Sequence, residues 1–261
     1  MAAIHAPTLA SETVAYIGAF PLRNTMLMAW LAMAVLIVFA LAARGTGYRL
    51  IPGRFQTFVE MIVEGLFNFF DSILQNTART RTLFPLIATL FLFILTANWM
   101  GILPGVGSIV VHHGEEVMPL FRSMNADVNM TLVFAVVAIV VTQIFGVATL
   151  GILPHLGKYF VAPWRDPMGT FVGLLEFIGE FTRIISFSFR LFGNVFAGEV
   201  LLVVISALVP YVVPIPFLGL EIFVGFIQAL VFAMLTLVFI SMATTAHGGH
   251  HEEHLPAAVP A

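Results

Sequence analysis

The sequence predicts an all-α membrane protein: five membrane-crossing helices plus an interfacial amphipathic helix, the last two crossings long and steeply tilted as an antiparallel hairpin. Three observations predict it. Of 261 residues 60% are hydrophobic and 10% charged, against ~25% charged in an ordinary soluble domain. Three apolar runs have the length of one bilayer crossing, and two more are too long to cross upright. A soluble fold cannot hide that much apolar surface.

The same composition narrows the chemistry. A net charge of −3 with no basic tract gives no case for nucleic-acid binding. The chain has no Cys, so disulfides and thiolate metal sites are excluded. Neither G-x-x-x-x-G-K-[ST] nor G-x-G-x-x-G occurs, so any energy coupling must use a partner or a gradient. No cofactor and no metal are expected. The first 24 residues lack the basic-then-apolar pattern of a cleaved signal.

The chain reads as one integral membrane domain. After an outer N-terminal segment (1–24), the first span covers 25–43 and closes at Arg44-Gly45-Thr46-Gly47. Residues 54–76 carry Phe55, Phe58, Val59, Ile62, Val63, Leu66, Phe69, Phe70, Ile73 and Leu74 at helical spacing. Gln56, Glu60, Glu64, Asn68, Asp71 and Ser72 lie opposite, which predicts an amphipathic interfacial helix. Its polar face is acidic, so protein partners explain it better than anionic lipid. A helical hairpin follows over 82–153, its spans running 83–103 to Pro104 and 128–153 to Pro154.

The rest, 168–246, differs. The run 168–209 contains no Pro and no turn-like polar cluster. As one helix it would be ~63 Å long and would need a tilt of ~60° in a ~30 Å core, beyond ordinary spans. The run 216–246, at ~46 Å, would tilt by ~50°. Pro210, Pro214 and Pro216 make the corner between them. Such helices must lean on something with a broad curved wall; two broken, steeper helices are the alternative.

Arg44, Arg49, Arg54, Arg79 and Arg81 fall in the first connection, and Lys158 and Arg165 in the third, whereas the second holds only Arg122. The positive-inside rule then puts the N-terminus outside and the C-terminus, with its 247–261 tail, in the cytoplasm. His247, His250, His251 and His254, with Glu252 and Glu253, and the His112-His113 loop are read as solvated.

An ionisable group at mid-bilayer is a functional candidate by default. The first three spans hold none in their interiors, while the long pair holds Glu176, Glu180, Arg183, Arg190, Glu199 and Glu221. Glu180 and Arg183 can pair along one side of the helix, so Glu176 beside them is either part of an anchor or of an ion path. Arg190 has no acid three or four residues away, only Ser186, Phe187, Gly193 and Asn194. Its counter-charge must come from another helix or chain, and since Arg keeps its proton it can attract a carboxylate and repel a cation but carry no proton. Folding the hairpin about residue 210 sets Glu199 opposite Glu221 and Arg190 opposite Gln228 to within a turn. Glu221, Gly225 and Gln228 share one stripe. Two carboxyls thus converge toward one side, as suits groups that hand on protons.

These residues carry a resemblance. The run from Ser186 through Arg190, Asn194 and Gly198 to Glu199 resembles the signature of subunit a of the F-type ATP synthase. The likeness continues into the run from Gln228 to Thr236 and the Ala97-Asn98-Trp99-Met100-Gly101-Ile102-Leu103-Pro104 segment. It implies two tilted helices wrapping a c-ring, with peripheral-stalk b subunits, other membrane- and catalytic-sector subunits and membrane lipid as further neighbours. Arg190 would match the family's essential arginine between two aqueous half-channels. Glu199 would match the acid of the outer one, with Asn194, Gln228 and Ser186 lining the route or holding the arginine. Glu221 stands where some members have His, and Gly101 where some have Asp, so no carboxylate from that hairpin joins the outer channel. A proton would enter past Glu199 and Glu221, neutralise a ring carboxylate, and leave after rotation past Glu176 and Ser186; nucleotide chemistry belongs to other subunits.

Two other classes compete: an autonomous secondary transporter, disfavoured by the lack of an inverted repeat, and a non-conducting scaffold. The expected location is a bacterial inner membrane, with the mitochondrial inner membrane as alternative.

Overall fold

The computed structural model describes residues 11–45, 53–107, 109–113, 116–157, 159, 167–209 and 212–244. Pro210, Arg49, Lys158, Arg165, Glu115 and the His-rich tail lie outside the described residues. A short hairpin of β1 (Thr13–Ile17) and β2 (Phe20–Arg23) leads into α1 (Asn24–Gly45), followed by α2 (Arg54–Leu74) and α3 (Thr77–Ile102). Strand β3 (Pro104–Gly107) precedes a second hairpin, β4 (Val110–His113) with β5 (Glu116–Pro119), and a 3-10 turn at Met124–Ala126. Then come α4 (Val128–Leu150), a short α5 (Ile152–Gly157), α6 (Pro167–Leu208) and α7 (Pro214–Thr244). Helices α1, α3, α4, α6 and α7 are long and apolar enough to cross a membrane. The all-α membrane architecture stands, and of the two hairpins that the sequence did not announce one precedes the first span and the other lies between α3 and α4.

Three boundaries differ from expectation. Helix α3 starts at Thr77 rather than 83, because Asn76 caps it by accepting from the Arg79 N–H at 3.1 Å. Asp71 of α2 also sits on that N-terminus, accepting from Thr80 Oγ1 (2.7 Å) and Thr77 Oγ1 (3.0 Å), where a carboxylate is favoured. Helix α4 stops at Leu150 rather than at Pro154. Gly151 takes φ +85°, a conformation that breaks the helix and that only Gly adopts freely, and Pro154 then falls inside α5. Helix α7 begins at Pro214 with Pro216 in its first turn, where a missing N–H costs nothing.

Helix α6 is a continuous 42-residue helix and α7 has 31 residues, the two lengths that demanded tilt. The core lies where α3, α4, α6 and α7 meet, around Phe187, Phe232, Leu191, Ile87 and Ile94. The rings of Phe187 and Phe232 are 4.8 Å apart. Between helices in lipid, close packing and polar contacts replace the hydrophobic drive, so small residues gather at the seams. Ala135, Ala138, Ala229 and Ala233 are all buried there. Thr131 of α4 and Ser188 of α6 share a buried hydrogen bond of 3.1 Å. Helix α2 packs on α3 through Phe67 and Phe70 against Phe84, while Phe55, Phe58 and Met61 stay exposed.

A candidate proton path along the two long helices

Helix α6 has two faces. Phe187, Ser188, Leu191, Phe192 and Val195 are buried against the bundle. Ser186, Arg190, Gly193 and Ala197 form an exposed stripe on the opposite face, amid exposed Phe181, Ile185 and Phe189. Among the described residues Arg190 makes no ion pair or hydrogen bond. A guanidinium that cannot lose its proton therefore stands on an apolar surface near the middle of a 42-residue helix. Asn194, one turn on, is half-buried.

Glu199 and Glu221 do come to one level. A methyl group on Gly198 would stand 2.6 Å from Glu221 Oε1, so Gly at that position is what lets the Glu221 carboxyl lie against α6. Glu199 Oε1 faces Arg122, whose Nε is 3.4 Å away. Glu199 Oε2 and Glu221 Oε2 are buried and accept no hydrogen bond. Residues 122 to 127 are all buried, so the connection before α4 dives into the bundle instead of running over it, unlike most loops. It brings Arg122 to Glu199, and Asn125 Nδ2 to Asn98 Oδ1 at 2.7 Å. It also brings Asp127 to Ser11 Oγ (2.6 Å) and Thr25 Oγ1 (3.3 Å). Asn98 donates in turn to the Gly225 carbonyl at 2.9 Å.

Gln228 follows Gly225 by one turn and is buried, its Nε2 without an acceptor. It faces the interior while Arg190 faces out, and no hydrogen bond joins the two. The stripe Glu221–Gly225–Gln228 therefore turns progressively inward along α7. Sequence reasoning missed Arg122, Asn125 and Asp127. The signal for Arg122 was its isolation, as the lone cation of a connection at the end of the bundle where two acids converge.

At the other end, Glu180 and Arg183 pair as expected, and the Arg183 guanidinium lies 4.6 Å from the Phe239 ring centre. Glu176 is half-buried one turn earlier. Near them His155 Nε2 and Gln143 Oε1 are 2.6 Å apart, and Tyr159 donates to the same oxygen at 3.3 Å. Burial pushes the Tyr159 phenol above its ordinary value, so it stays a neutral donor. Among the described residues no three His, Asp or Glu side chains gather as a metal site.

The arrangement has polar groups at both ends of a helix pair and a cation between them, in a chain that is similar in sequence to known proteins. The family model described as ATP synthase A chain matches residues 26–241. ATP synthase subunit a of Geotalea daltonii is 35% identical over 213 residues, 81% of this chain and 83% of the relative. That of Syntrophobacter fumaroxidans is 33% identical over 230 residues, 87% and 86% of the two chains. That of Moorella thermoacetica is 31% identical over 235 residues, 89% and 95%. With the match running from α1 almost to the end of α7, the chain belongs to the ATP synthase A chain family.

Proposed function

We propose that this chain is the proton-conducting membrane subunit of a bacterial ATP synthase and works in the inner membrane against a rotating ring of c subunits. The observation that carries the reading is Arg190, exposed on an apolar helix face with no acid paired to it among the described residues. Such a charge is costly in lipid, so the face is expected to be covered by a partner that brings carboxylates. The small residues Gly193 and Ala197 in the same stripe allow another helix to approach closely.

Protons enter from the periplasm, the side of the chain's N-terminus, through the Glu199 and Glu221 region. Asn98, Asn125 and Gln228 extend polar atoms inward from there. An arriving proton neutralises a ring carboxylate, which can then pass into lipid because its charge penalty is gone. After rotation the carboxyl loses its proton near Arg190 toward the cytoplasm, past Ser186 and Glu176. Arg190 attracts each newly ionised carboxylate and blocks direct passage between the two routes. One charge crossing 100 mV yields about 2.3 kcal/mol, so several protons must drive each ATP. Peripheral-stalk b subunits fit the uncovered α1 and α2 surfaces.

The absence of native Cys makes the test direct. A single Ala197→Cys, oxidised against a Cys beside the carboxylate of a ring subunit, should cross-link and stop ATP-driven pumping until reduced. The same experiment at buried Ala138 should give no cross-link. Failure of Ala197 to cross-link at any position along the ring helix would overturn the reading.

A further inference from the structure

The end of the connection between α3 and α4, residues 122–127, is buried, unlike an ordinary loop. It has no helical span of its own, yet Arg122 is only 5% exposed and its Nε lies 3.4 Å from Glu199 Oε1. A buried guanidinium is costly to desolvate, and a buried ion pair is weak evidence for stability. Its placement therefore calls for another explanation, and the geometry offers one. Arg122 engages one oxygen of Glu199, while the second, Oε2, is buried and free of hydrogen bonds, as is Oε2 of Glu221. The Glu221 carboxyl lies against Gly198, the residue next to Glu199, so the two acids stand at one level of the helix pair.

We propose that Arg122 is a positioning residue of the outer proton path: it holds Glu199 by Oε1, so that the carboxyl presents its remaining oxygen for proton exchange with Glu221. The inference rests on the proton-path reading given above. The exchange is a proton transfer alone. The O–H bond on one carboxyl breaks as one forms on the other carboxylate, and the guanidinium keeps its proton throughout.

The groups around this pair are few. Glu12, in the segment before β1, is the other charge that acts on Glu199. Glu221 comes from α7. Asp127 and Arg23 are engaged through Ser11. Helix α3 contributes the uncharged Gly101, where a methyl group would stand 2.6 Å from Ser123 Oγ. Among the described residues, the connection between α3 and α4 thus brings the Arg122 cation to Glu199.

The alternative role is a clamp that fastens the connection to α6. The two roles separate in the assembled complex, reconstituted in vesicles, when ATP-driven pumping and the dependence of flux on periplasmic-side pH are both measured. Positioning predicts that Arg122→Gln lowers pumping about tenfold and displaces the pH dependence by about one unit or more. A clamp predicts less assembled complex with an unchanged pH dependence per complex, and that result overturns the inference. If Arg122→Gln does not assemble, Arg122→Lys decides, since an ammonium cannot reproduce the guanidinium's geometry. A displaced pH dependence supports positioning, and an unchanged one overturns it. Normal pumping by Glu199→Gln would instead sink the proton-path reading itself. Impaired Glu199→Gln beside normal Arg122 variants would sink only the role of Arg122.

Discussion

Gly198 and Glu221 touch across the crossing of α6 and α7, with room for the carboxyl only because Gly198 has no side chain. The obstructed group is the end of a flexible side chain, so Gly198→Ala should fold and assemble while pushing the carboxyl aside. Pumping per assembled complex should fall by up to about a hundredfold, the scale of a misplacement of about 1 Å of a reacting group. Gly179→Ala, where an added methyl meets nothing within 4 Å, is the control and should leave assembly unchanged.

Asn98 spends its side chain on two buried bonds, to the Gly225 carbonyl and from Asn125. Asn98→Ala leaves the buried Asn125 amide without its acceptor and removes a second donor from the Gly225 carbonyl, at a cost of about 1–3 kcal/mol. The expected outcome is a lower thermal midpoint of the purified complex in detergent. An unchanged midpoint would mean that these bonds do not hold α3 to α7.

Arg183 serves Glu180 and the Phe239 ring together. Arg183→Gln strands Glu180, which is 14% exposed, with one oxygen already lacking a hydrogen bond. Stability should drop by about 2 kcal/mol or more, because a partly buried charge loses its partner. Replacing both residues, Glu180→Gln with Arg183→Gln, should recover much of the loss, and urea titration of both variants measures the difference.

The long helices were legible because length and the absence of Pro are properties of a single segment. So was the level shared by Glu199 and Glu221, which needs only a count from the corner. The break at Gly151 was not, since Pro154 three residues later is the stronger conventional stop and the positive φ leaves no mark beyond one Gly. Nor was the link from Arg122 to Glu199, because the return of a connection into a bundle has no periodicity to betray it. The early start of α3 was obscured by Arg79 and Arg81, which look like loop charges but sit in the capped first turns of a helix that outruns its apolar stretch.

Tyr159 gives a pH-dependent check at the opposite end. Its phenol is held above 10.0 by burial, so the unfolded chain ionises there first, and stability falls as pH rises through that value. In the ultraviolet titration of the folded protein, Tyr159→Phe should remove a tyrosinate step above 10.0. Loss of a lower-pH step instead would place Tyr159 in water.

The central claim is that Arg190 separates two proton routes, and ATP-driven acidification of vesicles holding the assembled complex tests it most directly. Arg190→Ala is compared with the unaltered chain, and passive proton leak is recorded in the same vesicles without nucleotide. The account predicts pumping below about a tenth of normal, with assembly intact and leak increased, because the cation between the two routes is gone. Normal pumping by Arg190→Ala would contradict it and leave the chain a scaffold.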